Sequence, residues 1–162
     1  GRYATLDHAA KALDIARESI VLLKNDAHLL PLDERNMTRL LVIGANADRI
    51  HSNGGGSAVI KALHEVSPLL GLNGELGGNV EIEYALGYDA KQINQDESWQ
   101  EESLENSKGS DAKEVNRARE LRDEAVAKAR AYAAAGDPVV FIGGLDHEHD
   151  LEGRDRTDMR LP

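Results

Sequence analysis

The sequence predicts an α/β fold: a mostly parallel sheet with helices on both faces, an α/β sandwich. Three observations carry that expectation. Leu40-Leu41-Val42-Ile43 and Val139-Val140-Phe141-Ile142 are continuous apolar runs, the pattern of strands covered on both sides. Segments with helical periodicity stand between the strand-like runs, and such alternation implies parallel strands joined by crossovers. Gly, Pro or a capping side chain punctuates most of these segments, which fixes where one element stops and the next starts.

In chain order, Thr5 caps a first helix with Asp7 in its first turn, and Ala9, Ala12, Leu13, Ala16 and Ile20 recur at helical spacing. Ile20-Val21-Leu22-Leu23 then reads as a short strand, or as a helix end giving way to one. Leu29-Leu30-Pro31-Leu32 reads as a buried, extended connection, because Pro31 disfavours helix at Leu30. The strand at 40–44 leaves through Ala45-Asn46-Ala47-Asp48. Gly54-Gly55-Gly56-Ser57 follows as a loop whose backbone can approach a ligand or another chain segment closely. Ser67-Pro68 is a helix start, with Ser as N-cap and Pro at the first helical position. That helix carries Leu69, Leu70, Leu72 and Leu76 and ends at Gly77-Gly78. In 80–85, Val80, Ile82 and Tyr84 alternate with Glu81 and Glu83, a strand with one wetter face. Residues 88–111 form a polar insertion. A long helix over 112–135 presents Val115, Ala118, Leu121, Ala125, Ala129 and Tyr132 on one side. Gly136 caps it, Pro138 stops it, and the last strand runs over 139–143. In a parallel sheet the loops after Gly44 and Gly143 leave from the same edge and face one crevice.

Composition narrows the function. The chain has 162 residues, 30% charged and 41% hydrophobic, a net charge of −10 and no cysteine. That is enough chain for one domain with a core. The acidic balance and the lack of a long basic run argue against nucleic acid and anionic membrane as partners. No apolar stretch is long enough to span a bilayer. Without cysteine there are no disulfides and no thiolate metal sites. The chain begins at Gly1, with no Met and no signal-like apolar region, which fits a processed product or a piece of a longer chain and leaves the compartment open.

The densest chemistry lies in Gly144-Leu145-Asp146-His147-Glu148-His149-Asp150-Leu151-Glu152-Gly153-Arg154-Asp155-Arg156. Strand, sharp turn, then titratable side chains is how an α/β protein presents a site. Two readings compete there. His147 and His149, with Asp150 or Glu148, suggest a metal-dependent hydrolase, although mixed His and acid clusters in loops are commonly just solvated; the reading with no metal and no cofactor is preferred. Glu152, close to other carboxylates, suits an acid/base whose pKa is raised enough to donate a proton at neutral pH, whereas Asp155 and Arg156 suit ion pairs that fix the loop. The triple glycine lacks both the Lys-Ser/Thr of a P-loop and the G-x-G-x-x-G spacing after a strand, so alone it reads as a turn.

Taken together, five motifs resemble the second domain of glycoside hydrolase family 3. They are Ala16-Arg17-Glu18-Ser19-Ile20-Val21-Leu22-Leu23-Lys24-Asn25 with Leu30-Pro31-Leu32; Val42-Ile43-Gly44-Ala45-Asn46-Ala47-Asp48; Gly54-Gly55-Gly56-Ser57-Ala58; Ser67-Pro68-Leu69 with Gly71-Leu72; and Gly144-Leu145-Asp146 through Glu152-Gly153 to Asp155-Arg156-Thr157-Asp158-Met159 and Leu161-Pro162. The resemblance implies a retaining, exo-acting β-glycosidase of β-glucosidase type. In that family a (β/α)8-type first domain holds the Asp nucleophile. The second, sandwich domain supplies the acid/base carboxyl and part of the sugar pocket. It further implies Glu152 as acid/base, with Asp150 and then Glu148 as alternatives, because the family's loop varies in length. Gly55, Gly56, Ser57 and His147 are implied at the substrate pocket. The implied partners are a carbohydrate, the first domain and the remaining sandwich segments. The expectation is therefore an amino-terminal part of one sandwich domain, incomplete at its C-terminal end and inactive alone. A non-catalytic α/β binding module is the alternative from another class.

Overall fold

The computed structural model describes residues 1–50, 62–88 and 112–144. The chain divides into two compact units, residues 1–33 and 34–162.

In the first unit, α1 spans Leu6–Ser19. Thr5 caps it as the sequence predicts, its hydroxyl accepting from the His8 amide at 3.3 Å. Asp7 in the first turn and Arg17 in the last complement the helix dipole. No residue of α1 is buried. Two expectations fail here. Ile20–Leu23 forms no strand: Ile20 is the extended C-cap of α1, and all four side chains are exposed. An apolar β-branched run becomes a strand only by pairing, and no described segment pairs with it. Leu29 and Leu30 are exposed rather than buried. Local hydrogen bonds close that connection instead. Asn25 receives the Leu30 amide at 3.0 Å and donates to the Leu30 carbonyl at 2.8 Å, and the Leu30–Pro31 peptide is cis.

The second unit is built on three parallel strands: β1 (Arg39–Ile43), β2 (Glu81–Ala85) and β3 (Val139–Phe141), in the order β2-β1-β3. The register pairs Val42 with Tyr84 and Ile43 with both Ala85 and Phe141. The strands expected at 40–44, 80–85 and 139–143 are thus parallel neighbours. β1 is central, which is why its apolar run is continuous: Leu40, Leu41 and Val42 are wholly buried.

Two helices flank the strands in sequence, α2 (Pro68–Leu76) and α3 (Ala112–Ala135). Leu41, Ile43 and Ala85 pack against Ala125 and Tyr132 of α3, with Ala129 and Val139 at the margin. By strand alternation Leu40 and Val42 face the other side. Ala118, expected on the buried stripe of α3, is exposed; the α3 residues buried in this cluster, Ala125 and Tyr132, lie in the helix's carboxyl half. The glutamates of β2 lie on the side covered by α3. Glu83 accepts from the Tyr132 hydroxyl at 2.8 Å and pairs with Lys128 at 2.9 Å. Arg39 pairs with Asp137 and lies 4.7 Å over the Tyr132 ring, a cation–π contact. At the end of α3, Gly136 takes φ +80° and the Asp137 amide reaches back to the Tyr132 carbonyl at 3.0 Å, which satisfies a terminal carbonyl.

The carboxyl edge of the sheet as candidate functional site

Parallel strands end on one edge, and there the chain turns sharply. Gly44 follows β1 at φ +125°, and a Cβ on it would lie 2.0 Å from the Ile142 carbonyl oxygen. Only glycine lets the backbones after β1 and β3 approach so closely. Although Ile142 lies past the end of β3, its amide still donates to Ile43 at 2.8 Å, and the Gly44 amide donates to Ala85 at 3.1 Å. The edge is therefore laced through all three strands.

Beyond Gly44 a single 3-10 turn, Ala45–Ala47, carries Asn46. Its amide donates to the Tyr88 hydroxyl at 3.2 Å, and that hydroxyl donates in turn to the Ile142 carbonyl at 3.3 Å. The Tyr88 ring is tilted 54° against Phe141, 6.2 Å between centroids. Gly87 makes this placement possible: at φ +74° its missing Cβ avoids Ile43, which would lie at 2.7 Å. The Tyr84 hydroxyl donates to the Gly44 carbonyl at 3.2 Å. Burial, then the charge of Asp48 and the neighbouring Tyr88, push the Tyr84 phenol up from its ordinary value, so it stays a neutral donor. Asp48 is exposed.

Asn46 is buried, 7% exposed. Its Oδ1 has no hydrogen-bond partner among the described residues. Gly144, at φ +155°, lies against the Asn46 amide nitrogen, where an added Cβ would stand 3.3 Å away. The starts of the two exit segments, one at Asn46 and one at Gly144, therefore meet, as a parallel sheet requires.

An open cleft of about 320 Å³ lies at the opposite, amino-terminal edge, lined by Glu34, Arg35, Met37, Thr38, Leu76, Asn79 and Val80. Open α/β sheets bind ligands at the carboxyl edge instead, which favours the Asn46–Gly144 edge. The residues singled out in the sequence, Gly55, Gly56, Ser57, His147, Glu148, His149, Asp150 and Glu152, lie outside the described residues, as does nearly all of the 88–111 insertion. Among the described residues no group of three His, Cys, Asp or Glu side chains is arranged to hold a metal ion, and no helix is long and apolar enough to cross a membrane. Sequence reasoning put Asn46 in the exit loop and in a family motif, and Tyr84 on a strand, but gave neither of them, nor Tyr88, a place at the site.

The family model for the glycosyl hydrolase family 3 C-terminal domain matches residues 20–162. The chain belongs to glycoside hydrolase family 3. A β-glucosidase of Bacteroides ovatus is 34% identical over all of this chain and 20% of its own length. A β-xylosidase of Formosa agariphila is 31% identical over 97% of this chain and 18% of its own. Among solved structures, one described as a novel β-glucosidase from Erythrobacter marinus superposes with a TM-score of 0.65 at 30% identity, covering 98% of this chain and 20% of that one. The family 3 chain thus spans about a fifth of the length of these relatives. Family membership and the parallel α/β architecture agree with the resemblance drawn from the five motifs.

Proposed function

We propose that this chain is the part of a retaining, exo-acting β-glycosidase of β-glucosidase type that carries the acid/base loop and one side of the sugar pocket. The observation that carries the reading is the meeting of the β1 and β3 exit segments at Asn46 and Gly144, in a chain matched by the family 3 model. The segment that starts at Gly144 continues in sequence to Glu148, Asp150 and Glu152. The named relatives are β-glucosidases and a β-xylosidase.

In this account the carboxylic acid of Glu152 protonates the glycosidic oxygen as the bond to the leaving group breaks. A carboxylate on another domain of the parent attacks the anomeric carbon and forms the glycosyl-enzyme. Glu152, now a carboxylate, takes a proton from the water that releases the sugar. Asp150 and then Glu148 are the alternatives for this role. Gly55, Gly56, Ser57 and His147 line the sugar pocket. The partners are the carbohydrate, a (β/α)8-type domain and further sandwich segments.

The test is Glu152→Ala, Asp150→Ala and Glu148→Ala in the complete parent enzyme, each assayed over a series of leaving groups. Losing the acid lowers kcat/KM on alkyl glycosides roughly 10²–10⁴-fold and spares dinitrophenyl glycosides, whose leaving groups need no proton. Equal loss on every substrate by all three variants overturns the reading and favours a non-catalytic role for this loop.

A further inference from the structure

We propose that α1 is a docking helix whose apolar face packs on the domain preceding the C-terminal domain in the parent. That occupant is the (β/α)8-type domain of the reading above, so the inference rests on the two-domain part of that reading and not on which carboxyl is the acid. Leu6, Ala9, Leu13 and Ala16 recur three and four residues apart and share one face of α1, whereas Asp7, Lys11, Asp14 and Glu18 share another. Lys11 and Asp14 pair at 3.8 Å on the polar side. The apolar face is bare: Leu6 is 89% exposed, Leu13 49%, and no residue of α1 is buried. A helix of 14 residues is marginal in water by itself, and proteins hold such helices by packing an amphipathic face. An exposed apolar face of this kind marks an interaction surface.

Three observations choose the occupant. The family model for the C-terminal domain begins at residue 20, so α1 lies on the amino-terminal side of that domain, and it is grouped in the compact unit 1–33 and not with the sheet. Next, the Bacteroides ovatus β-glucosidase matches all of this chain, α1 included, over only 20% of its own length, which leaves ample chain for a preceding domain. Last, the face is small. Two of its four apolar residues are alanine, and a freely associating second copy would need an interface of about 800 Å² per partner. A domain joined to α1 through the chain needs far less, because the tether holds it at an effective concentration in the mM range. With α1 anchored there, only residues 20–38 separate that domain from β1 in sequence. Domains of one chain move relative to each other unless an interface restrains them, and a retaining mechanism needs its two carboxyl groups about 5–5.5 Å apart. The docked helix shortens the free chain over which two carboxyl-bearing domains can drift.

The experiment uses the complete parent enzyme and puts the photo-cross-linking residue p-benzoyl-phenylalanine in place of Leu13, in a second variant in place of Leu6 at the margin of the face, and in a control in place of Glu18 on the polar side. Thermal melts establish that each variant is folded. After irradiation, peptide mass spectrometry should join positions 13 and 6 to the preceding domain of the same polypeptide, with roughly tenfold less cross-link from position 18, whose side chain has no neighbour within contact distance. Hydrogen exchange of the unmodified parent gives an independent reading. The amides of α1 should exchange on the order of 100-fold or more slower than in an unfolded peptide, because a helix left bare opens almost freely. Cross-links from positions 13 and 6 to residues 34–162, or to a second copy as a dimer band, overturn the docking. So does a folded variant that gives no cross-link from either position, or an α1 without protection. No activity is read, so the docking can fail while the carboxylate variants show the leaving-group signature, and the acid/base reading can fail while the cross-links form.

Discussion

Gly44 is the residue on which the carboxyl edge depends most. Its φ of +125° is unfavourable for any side chain, and a Cβ would meet the backbone carbonyl of Ile142, which cannot move without breaking its bond to β1. Gly44→Ala should therefore destabilise the chain by about 3 kcal/mol or more, read as a shift in the urea midpoint with an unchanged slope; a loss below about 1 kcal/mol would show that the strands separate easily there. Glu83 governs a different response. Hydrogen bonds from Lys128 and Tyr132 hold its carboxyl below the ordinary glutamate value. A depressed folded pKa contributes stability that is present above the unfolded value, near 4.3, and is lost as pH falls through the folded value. Glu83→Gln should flatten the fall of stability below about pH 4.3. At neutral pH it should cost less than about 1 kcal/mol, because the pair with Lys128 is partly exposed and screened. A melting temperature that falls as steeply with acid in the variant as in the parent would contradict this.

At the scale of the element, α2 shows how much a single cap decides. Ser67 is buried, its hydroxyl accepts from the Leu70 amide at 3.2 Å, and Pro68 begins the helix. Ser67→Ala should cost about 1 kcal/mol, measured by thermal or urea unfolding; no measurable change would mean that packing alone holds α2. Such punctuation is why most elements were legible in the sequence. Thr5, Ser67-Pro68 and Gly136 set helix ends that agree with the structure, and the continuous run 40–43 marked the central strand. The failures share one physical cause. Ile20–Leu23 and Leu29–Leu30 look like buried strand material, but apolar content says only that a segment can be buried, and pairing or a covering layer decides whether it is. The site was legible in outline only. A parallel sheet implies that the exits after Gly44 and Gly143 meet, whereas the Asn46–Tyr88–Ile142 hydrogen bonds join residues 42 and 54 positions apart, and no local pattern announces such a link.

For the whole molecule, the proposed mechanism divides the chemistry between this chain and the rest of its parent. The chain spans about a fifth of the length of its β-glucosidase and β-xylosidase relatives, and the resemblance puts the nucleophile on another domain. A retaining mechanism needs two carboxyl groups about 5–5.5 Å apart across the scissile bond. Expressed alone, residues 1–162 should hydrolyse no aryl β-glucoside or β-xyloside, whereas turnover abolished by Glu152→Ala in that isolated chain would place a nucleophile within it. The central claim, that the loop after β3 carries the acid/base of a retaining β-glycosidase, is tested most directly by trapping its product. In the complete parent enzyme carrying Glu152→Ala, azide takes the place of the water that the missing carboxylate no longer activates. The account predicts accumulation of the β-glycosyl azide from an activated aryl glycoside, identified by the anomeric coupling in its proton NMR spectrum. An α-configured azide, or no azide product from Glu152→Ala, Asp150→Ala or Glu148→Ala, would contradict it.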